Sequence, residues 1–134
     1  MGTIPKLWDN ATAYVVGGGP SLRDFDWSLL KGRHAIGTNN AAFEHGDVCN
    51  ICCFGDYPFA EKYPSELWQA AFSGVRLFTR VRLPNTDPLK GVVTELEALN
   101  GKWSGRQGAI CWPGNTGGMA VNLAVRLGAK RVYL

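Results

Sequence analysis

Short apolar β runs alternate with helical segments along this chain, and that alternation constrains its fold more than any other feature. The β runs are residues 13–16, 34–37, 48–54, 75–79 and 131–134, and the helical segments are residues 20–31, 64–72, 94–100 and 118–127. Strands that alternate with helices predict a mostly parallel sheet with right-handed crossovers. We therefore predict an α/β, Rossmann-like three-layer sandwich whose ligands bind beyond the carboxyl ends of the strands.

Length and composition predict one globular domain, residues 1–134, with an irregular lead-in over residues 1–12. Hydrophobic residues make up 46% of the chain and charged residues 19%, which excludes a disordered chain. The net charge of +3 is too small to indicate a nucleic-acid partner. Without a signal peptide or an apolar run long enough to span a bilayer, the expected location is the cytoplasm.

Four cysteines raise the question of a metal site. Cys49, Cys52 and Cys53 lie in one strand-like apolar run, where alternate side chains point to opposite faces. The Cys-x-x-Cys spacing, with Cys111 as a further ligand, is compatible with zinc. Buried free thiols in a reducing compartment explain the run better, so we predict no metal there.

The clearest candidate for ligand contact is the first glycine loop, formed by Gly17, Gly18, Gly19, Pro20 and Ser21. It follows a β run and opens a helical segment. Glycines let the backbone approach an anion, and a helix N-terminus offers free N–H groups, so the loop predicts a phosphate site. The alternative is a tight strand-to-helix turn without a ligand.

Two departures separate this loop from dinucleotide-binding loops. Leu22 stands where that pattern has a third Gly or Ala. Thr38, Asn39 and Asn40 occupy the end of the second β run, where an acidic residue would bind the ribose. Both departures argue against NAD and FAD. Asn39 and Asn40 instead suit a sugar or base edge, or the cap of the next segment.

A second glycine loop, Gly114–Gly118, also opens a helical segment. Its members Asn115, Thr116 and Gly117 are candidate nucleotide contacts, although Asn115 or Thr116 is also a good N-cap. Two such loops at one sheet edge are less easily explained by structure alone.

The catalytic residues are not defined by the sequence, and Asp56 and Arg106 are the candidates. Asp56 follows a buried β run, where it suits a ribose hydroxyl, a metal or simply a turn. Arg106 lies in the Gly-rich stretch Gly101–Gly108 and is, with Arg23 and Lys102, a candidate partner for phosphate oxygens.

Together these blocks resemble a known superfamily, over residues 13–134. The matching blocks are Gly17–Leu22, Phe25-Asp26-Trp27-Ser28 with Leu30, Asn39, Asn115-Thr116-Gly117 and Leu127–Leu134. The superfamily contains bacterial lipooligosaccharide sialyltransferases, archaeal 6-hydroxymethylpterin diphosphokinase-like proteins and bacteriophage relatives of unassigned role. The sialyltransferases bind a CMP-sugar at these positions, and the pterin enzymes bind ATP and a pterin with magnesium.

The resemblance implies a nucleotide-donor-dependent transferase whose nucleotide site includes the matched positions of both loops and Asn39. Asp56 matches a position that contacts the nucleotide sugar, and magnesium is expected if the donor is ATP. The family continues past the last strand into a region with catalytic groups, whereas this chain ends at Leu134. Two expectations follow: the sequence is a C-terminally truncated piece of a longer protein, or it is a non-catalytic nucleotide- or partner-binding phage protein, located in the host cytoplasm.

Overall fold

The protein consists of eight strands and four α-helices over the described residues, which are 2–17, 24–45, 47–103 and 105–134 of a computed structural model. The strands are β1 (Thr12–Val16), β2 (His34–Thr38), β3 (Ile51–Phe54), β4 (Arg76–Thr79), β5 (Thr94–Glu95), β6 (Glu97–Asn100), β7 (Ala109–Trp112) and β8 (Arg131–Tyr133). The helices are α1 (Ala41–Glu44), α2 (Tyr57–Lys62), α3 (Pro64–Phe72) and α4 (Thr116–Arg126).

Six strands form a central sheet in the order β5-β4-β3-β2-β1-β8, and every neighbouring pair is parallel. This sheet confirms the predicted α/β, Rossmann-like fold. The chain builds the sheet outward from β1 to β5 and then returns to add β8 on the other side of β1. The strand order therefore reverses between β1 and β8, which is where open α/β sheets bind their ligands.

Both faces of the sheet are covered because its strands are apolar on both sides. On one face, Val15 packs in a cluster with α4, whose buried side chains include Met119 and Leu123. The lead-in lies on this face too, and the Trp8 amide donates to the Leu127 carbonyl oxygen at 2.9 Å. On the other face, Val16 packs in a cluster that includes residues from α1, α2 and α3.

A separate parallel pair, β6 and β7, lies beside α4. Asn122 is fully buried on α4, and its Oδ1 accepts from the Cys111 amide at 2.9 Å. Arg126 donates from Nη1 to the Ala109 carbonyl oxygen at 2.8 Å. Two polar side chains of α4 therefore hold β7 against that helix. No helix of the described chain is long and apolar enough to cross a membrane.

The structure contradicts the helix predicted for residues 94–100. Thr94–Glu95 pairs with β4 and Glu97–Asn100 pairs with β7, so both segments are strands. The predicted β runs also lack β7. Local preference favoured a helix at Glu95–Leu99, but pairing with distant strands overrides such preferences.

Two further predictions were wrong in part. The strand predicted over residues 48–54 begins only at Ile51, because the amides of Val48 and Cys49 donate to the His45 carbonyl in a turn. The helix predicted over residues 20–31 is, in its described part, a 3-10 helix at Trp27–Leu30, and Asp26 caps it through the Ser28 amide.

Other predictions were confirmed. The helix expected over residues 64–72 is α3, and the helix expected over residues 118–127 is α4, which begins at Thr116. Gly128 follows α4 with a φ of 105°, a left-handed conformation that ends the helix. Helix α2 was not predicted.

Candidate functional site

The carboxyl ends of four neighbouring strands carry polar or glycine residues in a row. Gly17 follows β1, Asn39 follows β2, Gly55 follows β3 and Arg80 follows β4. Neighbouring parallel strands lie about 4.8 Å apart, so these positions share one edge of the sheet. We call this row the carboxyl edge.

A crevice opens at this edge between β1 and β8, with a volume of about 700 Å³. Gly17 lines it from the end of β1, and Gly117 lines it from the first turn of α4. The rings of Tyr14 and Tyr133 stack in its wall with centroids 5.6 Å apart. The guanidinium of Arg33 lies 5.9 Å from the Tyr14 ring centroid, which adds a positive charge to an aromatic wall.

The first glycine loop is represented in the described structure by Gly17. The other predicted contacts of this loop, Gly18, Gly19, Pro20 and Ser21, lie outside the described residues, as does Arg23. Next to Gly17, the Thr38 hydroxyl donates to the Val16 carbonyl oxygen at 3.2 Å. This bond joins the ends of β1 and β2 beside the crevice.

Asn39 occupies an unusual backbone position at the end of β2. Its φ is 54°, in the left-handed region that Asn tolerates better than most residues. Its backbone N–H donates to the Cys53 carbonyl oxygen at 3.0 Å. Its buried side-chain Oδ1 has no hydrogen-bond partner in the described chain. A buried acceptor without a donor is costly, and a ligand hydroxyl or N–H group would satisfy it.

Asn40 stands at the N-cap position of α1, but its side chain makes no capping hydrogen bond. Its Nδ2 donates instead to Glu44 Oε1 at 2.7 Å. Of the two neighbouring side chains, Asn39 is thus the one whose acceptor is buried without a partner in the described chain.

Helix α4 begins at the crevice. Asn115 is its N-cap, as the sequence predicted, and the Asn115 Oδ1 accepts from the Gly118 amide at 2.7 Å. The amides of Thr116 and Gly117 have no partner among the described residues. Free N–H groups and the positive end of the helix dipole together attract an anion.

The two catalytic candidates have structural partners. Asp56 is exposed and caps α2, with its Oδ1 accepting from the Phe59 amide at 2.8 Å, which confirms the turn-forming interpretation. Arg106 pairs with Glu97 at 2.8 Å beside the amino end of β7. The opposite end of β7, at Trp112, lies at the carboxyl edge, so the structure does not bring Arg106 into the crevice.

All four cysteines are free and buried, as predicted. Burial, with a smaller effect of the Asp47 charge, raises the pKa of Cys49 from 9.0 to about 12. Burial also raises the pKa of Cys52 to about 12, with a smaller effect of Cys49. These thiols are therefore poor nucleophiles. No group of three or more His, Cys, Asp or Glu side chains suited to a metal ion occurs in the described ranges.

Sequence reasoning missed one cluster at the edge, formed by Gly55, Arg80 and Trp112. The Arg80 guanidinium lies 4.0 Å from the centroid of the Trp112 ring, and its Nε donates to the Gly55 carbonyl oxygen at 2.8 Å. The available signal was position alone: Arg80 directly follows a strand, and Trp112 lies two residues before the second glycine loop.

Comparisons with protein-family models, with curated proteins and with solved structures found no match for this chain. What this chain can bind is therefore decided by the geometry of the carboxyl edge and by the motifs in its sequence. That geometry offers an aromatic crevice, two glycines and a free helix start at one point of the sheet.

Proposed function

We propose that this chain binds a nucleotide donor in the crevice between β1 and β8, in the cytoplasm, and acts as a glycosyl or diphosphoryl transferase. One observation carries the proposal: Gly17 and Gly117, one from each glycine loop, line the same cavity at the point where the strand order reverses. Its volume of about 700 Å³ suits a small-molecule ligand.

The phosphate of the donor fits best at the start of α4. The amides of Thr116 and Gly117 point along the helix dipole, and neither glycine of the crevice carries a side chain that would keep an anion away. The stacked rings of Tyr14 and Tyr133 offer a surface for a base or sugar. Asn39, at the end of β2, is not among the described residues that line the crevice, so a sugar hydroxyl reaches its buried Oδ1 only from a ligand that extends along the carboxyl edge.

Transfer from such a donor needs stabilisation of charge at the leaving phosphate, and preorganised amides supply it. With ATP as donor, magnesium would add Lewis-acid chemistry at the phosphates. Magnesium is held by one or two carboxylates together with phosphate oxygens. Asp56 fits that requirement, because only its Oδ1 is engaged by the α2 cap.

A thermal-shift panel of CMP, CMP-sialic acid, a UDP-sugar, ATP with magnesium, GTP and NAD tests the proposal. We expect a mononucleotide ligand to stabilise the protein by about 2.7 kcal/mol at a hundredfold excess over its Kd, and NAD to have no effect. If no ligand of the panel shifts Tm, the proposal is wrong.

Gly117→Glu places a carboxylate where the phosphate is expected. A Cβ on Gly117 would make one contact of ordinary length, 3.5 Å to Asn115 Oδ1, and the dipole at a helix start favours an acidic residue, so this variant should fold. We expect it to lose the ligand-induced Tm shift. Gly105→Glu is the matched control, since Gly105 is exposed and, apart from its neighbours in the chain, no atom of the described residues lies within 4 Å of the place that a Cβ would take.

A non-catalytic nucleotide-binding module is the second candidate. Histidine is the most common general base, and the observation that favours this module is that both histidines of the chain stack on tryptophan rings. His34 lies at the amino end of β2 and stacks on Trp8, while His45 stacks on Trp27 at 3.6 Å. A ligand that binds without hydrolysis or transfer, in the presence of magnesium and candidate acceptors, would favour this module over the transferase.

A further inference from the structure

Arg80 is held in a fixed orientation at the carboxyl edge. Its side chain is half-buried, its guanidinium lies over the Trp112 ring at 4.0 Å, and its Nε donates to the Gly55 carbonyl oxygen. Stacking and a backbone hydrogen bond restrict the plane of the guanidinium before any ligand binds. Such restriction lowers the entropy cost of binding.

The backbone at Gly55 is built to allow this stacking. A Cβ on Gly55 would lie 2.5 Å from Trp112 Cζ3 and 3.1 Å from Thr116 Oγ1. The absence of a side chain therefore lets the indole, the end of β3 and the first residue of α4 meet. Thr116 precedes Gly117, which lines the crevice, so the Arg80–Trp112 pair lies next to the proposed nucleotide site.

The charge of Arg80 has no anionic partner in the described chain. The ion pairs there are Lys90 with Glu95 and Arg106 with Glu97. The single hydrogen bond that Arg80 makes in that part of the chain uses Nε, which leaves both Nη groups available. Paired Nη donors in one plane match the oxygens of a carboxylate or phosphate.

We propose that Arg80 binds a second anionic group of the donor, a carboxylate or a further phosphate, beside the phosphate held at the start of α4. This inference rests on the proposed function and narrows its ligand class. The preferred ligands are nucleotides with two separated anionic groups, rather than nucleoside monophosphates or nucleotides joined to neutral sugars.

Matched ligand pairs test the role of Arg80 without relying on one compound. CMP-sialic acid against CMP adds a carboxylate, and UDP against UMP adds a phosphate. Hydrogen bonds to charged groups contribute about 1.5–3 kcal/mol, so wild type should favour the member of one pair that carries the second anionic group by roughly 10- to 100-fold. The pair that shows this preference identifies the source of the anion.

Arg80→Gln should abolish that preference while leaving the affinity for the simpler member within about twofold. Arg80→Lys should restore only part of it, because lysine keeps the charge but not the planar fork. The matched control is Arg76→Gln, which removes the same charge from the exposed start of the same strand and should keep the preference. Equal weakening of both ligands by Arg80→Gln, or no weakening, overturns the inference while nucleotide binding itself stands.

A second measurement uses the wild-type protein and inorganic pyrophosphate. Binding at Arg80 should shift its Nε–Hε resonance saturably, whereas the resonance of Arg76 should not move. If wild type binds no nucleotide but Arg80 saturates with pyrophosphate, the proposed function fails and the anion site remains. If the resonances of Arg80 and Arg76 respond alike, the Arg80 site is refuted whatever the nucleotide panel shows.

Discussion

Because Gly55 has no side chain, the end of β3, the end of β7 and the start of α4 can approach one another closely. In Gly55→Ala the new Cβ would lie 2.5 Å from Trp112 Cζ3, so the indole must move and the Arg80 stacking must loosen. Overpacking of this kind costs about 1–3 kcal/mol of unfolding free energy. Urea denaturation should show that loss, together with a changed tryptophan fluorescence spectrum.

The control for this prediction is Gly105→Ala. Apart from its neighbours in the chain, no atom of the described residues lies within 4 Å of the added Cβ. It should leave the unfolding free energy within about 1 kcal/mol of wild type, since alanine mainly restricts the unfolded chain there. Similar losses in both variants would contradict a specific role for Gly55.

Single residues were predictable from the sequence where their partners are local. Asn115 was predicted as a possible cap because an Asn side chain reaches an amide three residues further on. Arg80 was not predicted, because its partner Gly55 is 25 residues away and becomes a neighbour only through the sheet order. The unsatisfied Oδ1 of Asn39 likewise depends on burial that no local pattern reveals.

At the scale of elements, Asn122 links α4 to β7. In Asn122→Ala the Cys111 amide loses its acceptor inside the core, which costs about 1–3 kcal/mol. We expect the Cys111 amide to exchange its hydrogen much faster, while the amides of β2 keep their protection. The control is Val121→Ala, at a half-buried position of the same helix, which should leave the exchange of the Cys111 amide unchanged. If that amide exchanges at the wild-type rate in Asn122→Ala, the link between α4 and β7 is contradicted.

Elements that carry their own signals were predicted with nearly correct bounds. Helix α3 begins at Pro64, and α4 lies between a capping Asn115 and Gly128. Strands β5 and β6 were mistaken for a helix because these segments become strands only by pairing with β4 and β7. A two-residue strand such as β5 has no period of its own to detect.

At the scale of the whole molecule, the buried thiols make the folded state less stable as the pH becomes alkaline. The folded state raises the pKa of Cys49 and Cys52 to about 12, so it holds their protons when the unfolded chain releases them. Stability present below pH 9 is therefore lost as the pH rises from about 9 to about 12. Each thiol contributes roughly a tenfold change in the folding equilibrium per pH unit.

Urea denaturation between about pH 8 and pH 11 measures this loss. Cys52→Ala should lose less unfolding free energy than wild type over the same pH range, because one titrating group is gone. The control is Leu77→Ala, which removes a buried non-titrating group from the same cluster, so its unfolding free energy should fall with pH as steeply as that of wild type. Identical slopes for wild type and Cys52→Ala would contradict the raised pKa.

The sequence predicted the whole molecule at the level of its layers. Alternation of strands and helices sufficed for the parallel sheet. The position of the crevice was not predictable to the same degree, because it depends on β8 returning beside β1 rather than continuing past β5.

The position of β1 also orders the events of folding. Residues 13–16 pair with β2 as soon as residues 34–37 are available, but Thr12–Tyr14 pair on their other side with residues 131–133. During synthesis one edge of the first strand therefore stays open until almost all of these residues have left the ribosome. Such long-range pairing slows folding and leaves an unpaired edge exposed to other chains. A nascent chain of this protein is thus most prone to misassociation just before β8 emerges.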